Sequence, residues 1–139
     1  MANSKEPTKH PGSCHCGDVR FTVELDPSKG GQCNCSICMK AGSISSIVKP
    51  QAFVLLTDTA KLADYEWGGK TAKRFFCKRC GIHCFARGVD PNGQEMVGIN
   101  VNTLDGIELG ELPVVYFDGR HDDFEPRSKP APIFPERRA

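Results

Sequence analysis

"FFCKRCGIHCFARG", residues 75–88, places Cys77 and Cys80 in C-x-x-C spacing between a phenylalanine pair and a second β-prone run. A C-x-x-C followed by glycine is the shape of a zinc knuckle, in which one tight turn aims two thiols at the same ion. Here the knuckle turns a strand ending at Phe75-Phe76 back into an antiparallel partner carrying Ile82, His83, Cys84 and Phe85. Neighbours on a strand point to opposite faces, so at most one of His83 and Cys84 faces any given site. Cys84 is read as a small packed hydrophobe. His83 is a candidate for assisting proton transfer.

A knuckle supplies two ligands, whereas structural zinc takes four. The chain holds eight cysteines among 139 residues. Besides Cys77, Cys80 and Cys84 they form two groups: Cys14 and Cys16, then Cys33, Cys35 and Cys38 in "QCNCSICMKAG". An even count also permits disulfides, a reading that suits short exported chains. The opening "MANSKEPTKHPGS" has no apolar segment of an export signal, so a cytoplasmic location with reduced thiols is expected. Metal is therefore the expected partner of these cysteines. Joining Cys14 and Cys16 to Cys77 and Cys80 completes one tetrahedral set and leaves Cys33, Cys35 and Cys38 as three ligands with an open position, the arrangement of catalytic zinc. Spacing alone leaves other partitions open. Cys77 and Cys80 could pair with two of the middle three, or Cys84 or His83 could close the second site.

Outward from the cysteines, the chain reads as β. "DVRFTVEL" alternates Val19, Phe21, Val23 and Leu25 against Arg20, Thr22 and Glu24, the pattern of a half-buried strand. "SISSIVKPQAFVLL" gives two short runs broken at Pro50, and "EMVGINVNTLDG" alternates Val97, Ile99 and Val101. Leu62, Tyr65 and Trp67 precede a Gly68-Gly69 turn, and "ELPVVYFDGR" adds a further short strand. Helical periodicity is weak throughout, so a mainly β fold in a single domain is expected. Residues 1–11, with Pro7 and Pro11, read as a mobile arm, residues 12–120 as the zinc-binding domain, and residues 121–139 as a Pro-rich tail. Phe124, Ile133 and Phe134 could pack that tail as an extended strip. A formal net charge of +1 argues against capture of nucleic acid, and no apolar run approaches the roughly 18 residues of a spanning helix.

Taken in order, "GSCHCGDVRF", "CNCSICMKAG", "FFCKRCGIHCF", "VNTLDG" and "VYFDGR" resemble the signatures of the glutathione-dependent formaldehyde-activating enzyme family, which includes centromere protein V type proteins. The resemblance runs from about Gly12 to Arg120. It implies twisted antiparallel β-sheets with a zinc-ribbon-like element, shared with Rab-binding chaperone-like proteins. It also implies two zinc ions: a structural one on Cys14, Cys16, Cys77 and Cys80, and a catalytic one on Cys33, Cys35 and Cys38. Asp118 and Arg120 match the family's "FDGR", although a tight Asp-Gly turn with a surface arginine also accounts for them.

The implied activity is that of a carbon–sulfur lyase, joining the glutathione thiol to formaldehyde as S-hydroxymethylglutathione. Three thiolates give Zn²⁺ a formal charge of −1, which weakens it as a Lewis acid and favours soft thiol ligands over acidified water. The substrate thiol is expected to take the open position or to displace one of the three cysteines. Lys40, Lys49, Lys73 and Arg74 are the candidates to receive its carboxylates. The expected partners are thus a small thiol and an aldehyde, without membrane or nucleic acid. Two alternatives stay open: the same fold acting on another small electrophile or thiol adduct, and a non-catalytic zinc-stabilised binding module.

Overall fold

The computed structural model describes residues 7–66, 72–108 and 113–132. Trp67, the Gly68-Gly69 pair, Ile133 and Phe134 lie outside them. Among these residues eleven strands and one short α-helix follow in order, with 3₁₀ turns between some of them: β1 (Thr8–Ser13), β2 (Arg20–Leu25), β3 (Gly30–Cys33), α1 (Ser36–Ala41), β4 (Ser45–Val48), β5 (Phe53–Leu55), β6 (Leu62–Glu66), β7 (Ala72–Cys77), β8 (His83–Val89), β9 (Glu95–Asn100), β10 (Val114–Asp118) and β11 (Asp123–Arg127). They build a three-stranded sheet, β1-β2-β5, and an eight-stranded sheet, β11-β10-β3-β4-β9-β8-β7-β6. The mainly β, open-sheet architecture is the one expected.

The core lies where the two sheets face each other. The alternation in β2 buries Phe21, Val23 and Leu25, with Val19 just before the strand. Phe21 of β2 and Phe53 of β5, from the small sheet, meet Phe85 of β8 and Phe75 of β7, from the large one. Ring centroids are 5.4 Å apart for Phe21–Phe53, 4.6 Å for Phe53–Phe85 and 4.9 Å for the stacked Phe75–Phe85 pair. Val97, Ile99 and Val101 complete this apolar layer. Aromatic burial on this scale dominates core energetics.

Four features depart from the expectations. The supposed arm enters the fold early, because β1 begins at Thr8 and pairs along its whole length with β2. Pro11 is tolerated there since β1 is an edge strand, where a missing N–H costs no ladder bond. The supposed tail likewise begins with a short 3₁₀ turn and β11, another edge strand, which accommodates Pro126. Phe124 of β11 packs near Phe117 of β10, at 6.5 Å between centroids. Third, β3 and β10 pair in parallel, within sheets otherwise antiparallel. Fourth, α1 sits within the three-cysteine stretch. Six residues make under two turns, too few for apolar periodicity to show. It ends at Gly42, whose φ of 65° lets its N–H return to the Cys38 and Met39 carbonyls. Among the described residues no helix is long and apolar enough to cross a membrane.

Candidate metal centres

Two hairpin turns, one from each sheet, meet at the first thiol cluster. Cys14 and Cys16 lie in the connection from β1 to β2, and Cys77 and Cys80 in the knuckle from β7 to β8. The four sulfurs all lie within 4.8 Å of one another. Cys16 Sγ is 3.7 Å from Cys14 Sγ and 3.6 Å from Cys77 Sγ, across 61 residues of chain. Backbone amides point at the sulfurs: Val19 N–H to Cys14 at 3.2 Å, Arg79 and Cys80 N–H to Cys77 at 3.3 and 3.4 Å. The cluster therefore ties the small sheet to the large one.

Cys33, Cys35 and Cys38 form the second cluster, again with sulfurs within 4.8 Å of one another. Cys33 ends β3, Cys35 caps α1, and Cys38 lies in its first turn. Among the described residues no fourth cysteine, histidine or carboxylate joins them. Cys77 and Cys80 sit with Cys14 and Cys16, so the alternative partition with the middle cysteines is not the one adopted. Cys84 is fully buried and donates to the Ile82 carbonyl at 3.5 Å. Burial, reinforced by the nearby sulfurs of the first cluster, pushes its thiol up to about 12. It packs within the core, as a lone buried cysteine usually does.

The donor sets suit a soft cation. Without one, each cluster splits its thiols unequally, because sulfurs this close cannot all ionise together. The Cys16 amide draws Cys80 down to about 6. Cys16 goes up to about 12: the Asp18 amide pulls it down, but burial and the sulfurs of Cys77, Cys14 and Cys80 outweigh that. Cys33 falls to about 5, chiefly because the Cys38 thiol donates to it, with burial opposing and the Cys35 and Gly119 amides assisting. Cys38, as that donor, is raised, and burial and Cys35 add to the rise. Thiolates packed among amide donors around a small space are what Zn²⁺ or another soft ion neutralises.

The parallel β3–β10 pairing explains a group of residues that motif reading reduced to a turn. Phe117 of β10 is opposite Cys33 of β3, so residues 118–121 run alongside the thiol loop. Asn34, between two of the thiols, donates through Nδ2 to Asp118 at 2.8 Å and accepts the Arg120 N–H at 2.9 Å. Asp118 is buried and also accepts from His121 Nδ1 at 2.9 Å. The Asn34 amide and His121 hold its carboxyl below the usual range. Arg120 is not simply a surface side chain, since its Nη2 reaches Met39 Sδ on α1 at 3.3 Å. Neither Asn34 nor His121 was singled out from sequence; an asparagine between two ligand-type cysteines was the available signal.

Gly119 completes this support. A Cβ there would overlap Cys33 Sγ, so only glycine lets the turn approach the sulfur. Gly119→Ala is expected to weaken metal retention at the Cys33 cluster by roughly 10- to 100-fold, as loss of outer-shell support does. Chelator competition would register this as earlier release of one metal equivalent only.

A cavity of about 930 Å³ opens onto the three-thiol cluster, lined also by Ser43, Arg74 and His83. A second, of about 1000 Å³, lies against α1 and includes His15, Lys40, Asp64 and Asp105. Of the four side chains proposed to receive carboxylates, Lys40, Lys49 and Lys73 are exposed and Arg74 alone is half-buried. Arg74 Nη2 is 3.8 Å from Cys38 Sγ. His83 faces the cavities while Cys84 faces the core, and its Nδ1 donates to the Phe75 carbonyl at 3.2 Å. Burial, then the Arg74 charge, lowers its pKa against the opposing pull of that hydrogen bond. The unfolded histidine titrates near ~6.5. His83 therefore binds its proton less readily when folded, and its contribution to stability is lost as pH falls below about 6.5 toward the lowered value. An NMR titration of the His83 ring should give a midpoint below that of a model peptide.

Fold and clusters together define a β-sheet domain with two groups of thiols that could each hold a metal ion. The chain belongs to the glutathione-dependent formaldehyde-activating enzyme family, whose model matches residues 9–116. A relative from Penicillium rubens is 37% identical over 79 residues, covering 53% of this chain and 41% of the relative. One from Halomonas elongata is 33% identical over 103 residues, covering 68% and 64%. Both bear the name "Putative glutathione-dependent formaldehyde-activating enzyme". The chain thus spans between about two fifths and just under two thirds of these curated relatives. The crystal structure of a Rhodobacter sphaeroides protein is similar to this fold with a TM-score of 0.65 at 33% identity, covering 77% of this chain and 99% of that one.

Proposed function

We propose that this protein is a carbon–sulfur lyase of the cytoplasm that joins glutathione to formaldehyde and runs the reverse cleavage. In this reading Cys14, Cys16, Cys77 and Cys80 hold a structural zinc, and Cys33, Cys35 and Cys38 hold a catalytic one. A soft ion held by Cys33, Cys35 and Cys38 would stabilise an incoming thiol as its thiolate, the nucleophilic form. The observation that carries the reading is the three-thiol cluster, without a fourth protein ligand among the described residues, in the wall of a cavity large enough for a small peptide.

The chain's own contributions are positional. Asn34, Asp118 and Gly119 fix the loop that bears the thiols, so their geometry need not reorganise when substrate arrives. The substrate sulfur donates a lone pair to the formaldehyde carbon, forming the S–C bond. The carbonyl π pair moves onto oxygen, which takes up through water the proton the thiol gave up on becoming a thiolate, so that the S-hydroxymethyl adduct forms without net gain or loss of a proton. His83 remains neutral near pH 7, and with Nδ1–H committed to Phe75 it keeps Nε2 to relay that proton.

Thiol addition to formaldehyde proceeds unaided, so the test must subtract the buffer rate. Exchange NMR on glutathione, formaldehyde and their adduct at equilibrium measures interconversion directly. Faster exchange with zinc-loaded protein than with buffer is expected. Exchange at the buffer rate, with glutathione and with a panel of other thiols, would remove the enzymatic reading.

A further inference from the structure

The two cavities share two lining side chains, Arg74 and His83. Four other charged groups of these cavities, Arg87, Asp26, Asp90 and Asp105, have structural engagements. Arg87 lies over the Phe53 and Phe85 rings, 5.4 and 5.7 Å from their centroids. Asp26 accepts from Ser28, Asp90 from the Asn92 and Gln94 amides, and Asp105 from Ser13. Arg74 differs. It is half-buried, and among the described residues its hydrogen bonding is the single long contact to Cys38 Sγ, with no carboxylate in ion-pair distance. A guanidinium offers five donors in one plane, and one long contact to a sulfur leaves most of them unused in a partly desolvated setting. A carboxylate meets that plane with two parallel hydrogen bonds. Ser43 adds a second unmet group to the first cavity: it is 1% exposed, and its hydroxyl has no partner among the described residues.

We propose that Arg74 is the receptor for a carboxylate of the thiol substrate, seated where the cavities join. The inference rests on the thiol-plus-aldehyde reading and names its specificity determinant. The span fits. A carboxylate about two residues along a peptide from the thiol-bearing residue is at most ~7 Å away along the backbone, with the thiol's own side chain adding reach, and Arg74 Nη2 lies 3.8 Å from Cys38 Sγ. The remainder of the ligand enters the second cavity, where Lys40 and Asp64 offer charges of both signs to an amino-acid head group. The site thereby selects anionic, peptide-like thiols over neutral ones.

S-methylglutathione keeps every charge of glutathione and blocks the sulfur, so it probes this contact without turnover. Calorimetric titration of the zinc-loaded protein is expected to show binding that Arg74→Ala weakens by roughly 10- to 100-fold and Arg74→Lys partly restores. In steady-state assays the kcat/KM ratio of glutathione to 2-mercaptoethanol should fall by a similar factor. Equal S-methylglutathione binding by wild type and Arg74→Ala, or none by wild type, would overturn the inference, as would equal losses for the two thiols. Arg74-dependent binding without any catalysed exchange would leave the receptor standing and remove the lyase reading. Catalysed exchange with an unaltered thiol ratio in Arg74→Ala would do the reverse.

Discussion

Cys77→Ser is expected to unfold the protein. Cys77 is fully buried, accepts two amide hydrogen bonds and contacts Cys16 across the junction of the two sheets. Under the proposed assignment the substitution removes one of four thiolates from a structural zinc. Apparent binding energies at such sites are about 10–16 kcal/mol, comparable to or larger than the ~5–15 kcal/mol by which a whole domain is stable. The small sheet would lose its tether while the apolar layer around Phe21 and Phe53 was exposed. Circular dichroism and zinc content measure the outcome together. Cooperative unfolding at the wild-type midpoint would show that the cluster is not a fold determinant.

The second large effect is functional. Cys38→Ala should return interconversion of glutathione, formaldehyde and adduct to the buffer rate, a loss of at least about 100-fold, since even outer-shell support is worth 10–100-fold at a metal site. The fold should persist. Cys38 is only half-buried and lies in the first turn of α1, away from the sheet junction, so its stability cost is held to about 1 kcal/mol. Loss of one zinc equivalent with a thermal midpoint lowered by only a few degrees would accompany the loss of rate. A variant that kept its rate would show that the three thiols do not carry the chemistry.

These contrasting outcomes follow from a grouping that spacing alone could not decide. The alternation of Val19, Phe21, Val23 and Leu25 was legible because burial on one face of a strand leaves a period of two in the sequence. The knuckle at Cys77 and Cys80 was legible because its turn is local. Which distant cysteines share a cluster depends on how two hairpins meet, and there ligand count and family resemblance together pointed to the arrangement found. The edge strands β1 and β11 were hidden by Pro11 and Pro126, residues that argue against strands except at edges. The Asn34–Asp118 bond was hidden more deeply. It joins residues 84 apart through a parallel strand pair, and no local pattern encodes that pairing. Arg74 was one of four equal candidates until burial set it apart from Lys40, Lys49 and Lys73.

The central claim is that the two thiol groups are unequal, one closed by four cysteines and the other leaving room for a ligand from outside. Anomalous diffraction at the zinc edge, from crystals soaked in glutathione, tests it most directly. The account predicts two zinc peaks: one surrounded by Cys14, Cys16, Cys77 and Cys80, the other held by Cys33, Cys35 and Cys38 with non-protein density beside it. A bare three-cysteine group, or an ion there enclosed by four side chains of the protein with and without glutathione, would contradict it.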